Sequence, residues 1–364
     1  MSEHGGAAAG GEGAKGDVEA SLEAEVLRRI AALRGRLGGE LGALFDELAA
    51  RLRLFEGEPG EGYFSHPMAL PVLELPLWVA TRFGAPAPGA GSRGLPPLAV
   101  DLAEAAAVGY LHVRIEDDLL DEGLGEPGAA VLLSGALFAR HQALLARSLP
   151  GGSAFWDLFE EVWFGYGEAM LLERRLHRGG GARDADTFRR VLARSRPLVL
   201  PAAAALFALA RPERLASLEA FVSALAAAHQ LFADLLHAEK DRAIGNATYV
   251  LSRLGAQVEP RGDGPPRSGG AARADDEPRR TTDGGGATAL RAALFARGGF
   301  DAILEEARCE LARAEDAAGA LELPEAVRFC KERAQYMAEI QRRVFLAFFS
   351  ALAGEPVASV GAPR

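Results

Sequence analysis

Apolar residues recur at three- and four-residue spacing through almost every segment longer than a dozen residues, which is the repeat of a helix with one buried face. Alternating strand-like runs and Asn-Gly hairpin turns are scarce. The pattern predicts an all-α fold with helices over about 18–55, 66–84, 97–122, 129–148, 153–177, 185–210, 213–242, 288–318 and 323–353, each bounded by Gly, Pro or a capping residue. Two stretches break the rhythm: GAPAPGAGSRGLPP at 84–97, and an Arg-, Gly-, Pro- and Asp-rich run at 259–286. The second is too long and too polar for an ordinary connection and is expected to be a mobile insertion. No internal repeat is present, and the helices on either side of the insertion can pack together. A single helical domain over 18–354 is therefore expected, after a disordered Gly- and Ala-rich lead-in at 1–17 and before a tail at 355–364.

Composition narrows the function. An apolar fraction of 49% over 364 residues suffices for a large core. A formal charge of −10 argues against a general nucleic-acid partner, because neutralising phosphates requires clustered Lys and Arg. Cys309 and Cys330 have no metal-ligand spacing and read as two buried or half-buried thiols in a reducing compartment. The N-terminal stretch lacks the apolar core of a signal peptide, so a cytoplasmic location is expected. The longest apolar stretch, Leu198 to Ala210, is interrupted by Pro201 and is too short to cross a bilayer at about 1.5 Å per residue, so no stable membrane insertion is expected.

The segment YLHVRIEDDLLDE places Asp117, Asp118 and Asp121 in the C-terminal part of an otherwise apolar helix, where spacings of three and four let all three carboxylates converge on one side. Like charges so placed repel one another and oppose the helix dipole unless cations offset them. Mg²⁺ prefers carboxylate, water and phosphate oxygens, so a short acidic patch suits a metal whose remaining positions a phosphate completes. A solvated acidic helix end is the competing reading. A second polar stripe tips the balance. In HQLFADLLHAEKDRAIGNATY, Gln230, Asp234, His237 and Asp241 recur at intervals of four, three and four, with Leu231, Leu235 and Ala238 supplying an apolar face. Lys240 and Arg242 lie close enough to reach a bound phosphate.

The pair resembles the two aspartate-rich motifs of trans-prenyl diphosphate synthases and class I terpene cyclases, members of the isoprenoid synthase superfamily. DDLLD at 117–121 matches the first motif in full. HQLFADLLHAEKD is similar to the FQxxDDxxD segment of the prenyl synthases, retaining Gln230, Asp234 and Asp241 but carrying Ala233 and His237 where aspartates stand. It is also similar to the cyclase pattern NDxxSxxxE, retaining only Asp234 and replacing the final Glu by Asp241. The resemblance covers roughly residues 60–255 and the C-terminal helices, and implies a helical bundle around a central apolar cavity. It further implies three Mg²⁺ ions, with Mn²⁺ as a possible substitute, held by Asp117, Asp118, Asp121, Asp234 and Asp241 against the diphosphate of a prenyl substrate. Homodimers are common in that family.

Chain-elongating synthases carry GGKRxRP near the first helices and RRG after the first motif. Here those stretches read YFSHPMALPVLELP and EGLGEPGAA, without a basic residue. That departure favours one-substrate chemistry of the cyclase type over a prenyltransferase joining two isoprenoid diphosphates, head-to-tail or head-to-head. A non-catalytic helical binding subunit is the alternative from another class. Arg190, Arg194 and Arg196 in DTFRRVLARSRP precede the second motif by about forty residues, near where the superfamily places a diphosphate-contacting Lys or Arg; a surface basic stripe is the competing reading. FWDLFEEVWFGYGEAM concentrates aromatics, and Phe159 and Trp163, four apart, can line an apolar cavity and stabilise a carbocation through their ring faces, or serve as plain core. His112 precedes the first motif and reads more readily as a satisfied core or surface histidine.

Overall fold

The computed structural model describes residues 10–56, 62–66, 69–84, 95–121, 127–179, 183–255 and 298–352; the expected insertion at 259–286 and the tail at 355–364 lie outside them. The described residues are helical and contain no strand. In chain order the α-helices are α1 (Gly10–Leu37), α2 (Gly39–Arg51), α3 (Glu74–Phe83), α4 (Pro97–Asp121), α5 (Pro127–Ser148), α6 (Phe155–Gly179), α7 (Ala185–Leu192), α8 (Leu200–Ala208), α9 (Leu215–Ala243), α10 (Tyr249–Arg253), α11 (Gly299–Ala320) and α12 (Pro324–Leu352).

Local chemistry explains where the continuous helices expected from periodicity are cut. The stretch at 18–55 divides at Gly38, whose φ of 57° only glycine adopts without strain, and α1 starts at Gly10, inside the lead-in expected to be disordered. The stretch at 185–210 becomes α7, a 3-10 segment (Ala193–Val199) and α8, because Pro197 and Pro201 remove backbone donors. Asp184 caps α7 by accepting from the Thr187 amide at 2.8 Å. Thr248 caps α10 by accepting from the Leu251 amide at 3.2 Å. Proline opens α4, α5 and α12, where a missing N–H costs nothing.

Helix α8 forms the hub. Its residues Leu200 to Leu206 are all buried, and it contacts α3, α4, α5, α6 and α9. Its alanines let these neighbours approach closely. Helix α4 uses small residues in the same way: Ala103, Ala105 and Ala107 are fully buried, and Gly109 leaves room for the His141 ring of α5, whose Nδ1 would lie 2.7 Å from a Cβ added there. Buried Glu104 on α4 binds Arg29 of α1 at 3.2 Å and also Arg140 of α5, tying three helices together. The most extensive helix pair is α9 with α11, and α12 folds back on α11.

Three helical stretches, Pro127–Ser148, Ala185–Ala208 and Pro212–Ala243, are long and apolar enough to cross a membrane by length and composition, which the shorter run noticed in the sequence does not reveal. In the latter two, 61% and 56% of the most apolar window is buried inside the bundle. Cys330 is buried as expected, whereas Cys309 is exposed.

Candidate active site

The two acidic motifs sit on α4 and α9, and the bundle brings them to one polar cleft of about 210 Å³. Asp117 enters from α4; Gln230, Asp234, His237, Lys240 and Asp241 enter from α9; Glu173 and His177 come from α6, and Arg183 and Arg194 from the segments before and after α7. The helical spacing read from the sequence explains the α9 stripe, since positions four, three and four apart share a face.

Arg194 ties three walls together. Its guanidinium lies 2.5 Å from Glu173, donates to Gln230 Oε1 at 2.8 Å and stands 3.6 Å from Asp117. Gln230 in turn donates to Asp234, whose side chain is buried. Burial pushes the Asp234 carboxyl up to about 7, the Gln230 hydrogen bond opposing it. Asp241 is also raised, chiefly by burial, despite nearby His237 and a hydrogen bond with Asn246. Glu173 goes the other way: burial disfavours its charge, but Arg194, His177 and Arg183 together hold it down at about 2.

Asp118 is not part of the cleft lining. It is buried, and pairs with Arg51 from the end of α2 and with Arg114 at 3.3 Å. Arg114 also reaches Asp117 at 3.1 Å. Asp121 ends α4, but its side chain lies outside the described ones. Of the three arginines expected to meet a diphosphate, only Arg194 lines the cleft. Arg190 is exposed, and Arg196 is engaged at the surface by Glu161 at 3.1 Å and Glu219 at 2.9 Å. Arg196, two residues after Arg194, faces nearly the opposite way on any helix, whereas Arg190 belongs to α7, before the 3-10 segment begins. Arg242 is absent from the lining, whereas Lys240 is present.

Aromatic side chains of α4, α5 and α6 cluster together elsewhere in the bundle. Trp163 stands edge-on to Phe138 with centroids 5.0 Å apart and 5.2 Å from the His112 ring; Phe159 lies 6.0 Å from Phe138 and packs in the core. A gap of about 10 Å³ remains among Tyr110, Val113, His141, Trp163, Pro197 and Pro201. His141 Nδ1 sits 2.8 Å from the Ala105 carbonyl and donates to it, and burial pushes the imidazole down to about 4, so the ring is neutral. His112 is buried against Ser134, its Nδ1 2.7 Å from the hydroxyl, consistent with a satisfied core histidine.

Five residues of this region escaped the sequence reading: Arg51, Arg114, Glu173, His177 and Arg183. Arg114 was legible, being three and four positions from Asp117 and Asp118, and Glu173 and His177 share a helix face. Arg51 and Arg183 arrive from segments with no periodic relation to either motif.

No protein-family model matches the chain, and no curated protein matches it in sequence. Solved structures do. A decaprenyl diphosphate synthase from Rhodobacter capsulatus superposes with a TM-score of 0.60 at 20% identity, covering 89% of this chain and 98% of that one. A polyprenyl synthase from Caulobacter crescentus CB15, complexed with calcium and isoprenyl diphosphate, gives 0.59 at 16% identity over 87% of this chain and 97% of its own. The polyprenyl synthase ISP_B from Roseobacter denitrificans gives 0.55 at 17% identity, covering 84% of this chain and 98% of that one. These likenesses establish the fold, which is that of the helical polyprenyl synthases.

Proposed function

We propose that this chain, having the fold of the polyprenyl diphosphate synthases, is an isoprenoid diphosphate enzyme of the prenyltransferase type. The observation that carries the reading is the meeting of Asp117 on α4 with Asp234 and Asp241 on α9 across one cleft that also holds Arg194, Arg183 and Lys240. Oxygen donors on facing walls beside cations suit a diphosphate carried with a divalent metal.

The donor set fits Mg²⁺ in chemistry. Asp234 is a buried carboxyl whose charge nothing nearby fully offsets, as its raised pKa shows, and a cation would ionise it. Among the described residues no three His, Cys, Asp or Glu side chains close a cation site by themselves, so water and phosphate oxygens would complete the coordination. Asp117, Asp234 and Asp241 are the ligands proposed from the cleft, with Asp118 and Asp121 completing the first motif. Bound metal would neutralise the diphosphate as a leaving group. Arg194 orients that diphosphate, and Lys240 adds charge at its rim.

Two observations favour transfer over cyclisation. The solved structures of this fold named above are polyprenyl synthases. Moreover, although the expected stretches carry no basic residue, Arg51 and Arg114 converge at Asp118 near Tyr63 and Tyr110, whose hydroxyls lie 3.5 Å apart, and these arginines are the candidates for meeting a second diphosphate. The cyclase reading retains one supporting observation, the close packing of Trp163, Phe138, Phe159 and His112, whose ring faces suit a carbocation.

The deciding experiment supplies geranyl, farnesyl and geranylgeranyl diphosphates with and without isopentenyl diphosphate, in Mg²⁺ and in EDTA, with products identified by mass spectrometry. Longer diphosphates appearing only with isopentenyl diphosphate and metal support the transferase. Hydrocarbon or alcohol from one allylic substrate alone overturns it in favour of the cyclase, and neither product with neither ligand bound leaves a binding subunit. The exposed Val131 and Leu132 of α5 and Phe164 and Leu171 of α6 support a homodimer formed through these helices.

A further inference from the structure

Arg183 is unusual for a cation. Its residue is 94% buried, taking its 6% exposure from the whole, yet it lines the polar cleft. Its backbone is pinned: the Arg183 amide donates to Ser252 Oγ at 2.8 Å, and that hydroxyl donates to the Thr248 carbonyl at 3.1 Å, so α10 and the α9–α10 connection fix where the side chain starts. One guanidinium nitrogen lies 3.2 and 3.4 Å from the two ring nitrogens of His177, and another lies 3.6 Å from Glu173. The Nε has no hydrogen-bond partner among the described residues. Burial depresses the pKa of this guanidinium, which marks a charge stripped of water and incompletely compensated.

The compensation it does have is shared. Glu173 faces Arg183 at 3.6 Å and Arg194 at 2.5 Å, one carboxylate against two guanidiniums. A guanidinium offers five N–H donors in a planar fork that matches phosphate oxygens, and the Nε of Arg183 is one donor left over among the described residues. An anion entering the cleft would find buried Arg183 and half-buried Arg194 sharing Glu173, with Asp117 a further 3.6 Å contact of Arg194 alone.

We propose that Arg183, seated on His177, is a metal-independent anchor for the diphosphate end of the ligand, and that Glu173 is the counter-ion holding Arg183 and Arg194 in place until phosphate oxygens take over. This rests on the diphosphate reading of the cleft and assigns it a contact that neither acidic motif supplies. The rival account is that Arg183 merely neutralises Glu173 as part of the packing. The two differ in sign for one substitution: removing the Glu173 charge tightens anion binding if the arginines are waiting for a phosphate, and weakens it if the pair only holds the wall together.

The test titrates inorganic diphosphate into the full-length protein in EDTA, by calorimetry and by the shift in melting temperature. The wild type binds without metal. Arg183→Met weakens binding at least tenfold, Arg178→Met at the exposed end of α6 leaves it unchanged, and Glu173→Gln tightens it and enlarges the melting shift. Should Arg183→Met fold poorly, the sign of the Glu173→Gln effect carries the decision. No binding by the wild type in EDTA, unchanged affinity in folded Arg183→Met, or weaker binding by Glu173→Gln overturns the anchor. Allylic turnover is measured separately: metal-dependent turnover without metal-free binding sinks the anchor alone, whereas metal-free binding without turnover on any isoprenoid substrate sinks the isoprenoid reading alone.

Discussion

Asp234 stores a cost that pH reveals. Its carboxyl is raised from 3.8 to about 7 by burial, so between those values the folded chain binds a proton that the unfolded chain does not. Its contribution to stability is therefore best near pH 4 and falls as pH rises towards 7, levelling beyond. Asp234→Asn, with no charge to bury, is expected to melt above the wild type at pH 8 in EDTA and to lose that advantage near pH 4; an advantage of equal size at both values would exclude the buried carboxylate as its source. Glu173 has the opposite sign: held at about 2 with Arg194, His177 and Arg183 offsetting its burial, it stabilises at neutral pH and loses that contribution only as pH drops well below 4.5. At this scale the sequence spoke through spacing. Asp117, Gln230, Asp234 and Asp241 were legible because a helix repeats, and repetition can be counted. Arg190 and Arg196 fall outside the cleft, Arg196 because two residues carry it off the face of Arg194, and Arg183 was invisible because contacts to Ser252 and His177 put it in the cleft.

Among the elements, α4 bears the heaviest demands, packing small residues against α5 and α8 while carrying the first motif at its end. Gly109→Ala would set a methyl 2.7 Å from His141 Nδ1, where the ring is fixed by the Ala105 carbonyl, and overpacking of this kind costs ~1–3 kcal/mol, readable by urea denaturation. Glu104→Ala leaves Arg140 without that carboxylate in a half-buried position and loosens α1, although Arg29 keeps Asp101 at 2.6 Å and Glu25 at 2.8 Å. The expected loss is about 3 kcal/mol, the lower part of the range for breaking a buried pair, and Glu104→Gln should recover some of it. A loss no larger than that of a surface pair would mean that the network is solvated. The long helices were readable because amphipathic runs declare themselves, whereas the five-residue α10 was not, nor were the breaks at Gly38 and Pro197 inside continuous apolar periodicity.

For the whole molecule, the all-α bundle followed from periodicity, while the meeting of Arg51 with Asp118 did not, because it brings a distant helix against the first motif. If α5 and α6 form the proposed dimer face, Leu132→Asp combined with Phe164→Asp should lower the sedimenting mass to that of one chain without lowering the melting temperature much, both residues being exposed. An unchanged mass would place the contact elsewhere. The hub helix α8 has a further consequence. Its residues from Leu200 to Leu206 are shielded on every side, so their amides cannot meet solvent through any local opening that leaves the surrounding helices in place. In deuterated buffer, the amides in the hydrogen-bonded part of α8 should be among the last to be replaced, at a rate set by unfolding of the entire bundle, while the five-residue α10 that positions Arg183 exchanges earlier. The cleft proposed to hold a diphosphate and the part that keeps the memory of the fold would then be separated in time by their exchange rates.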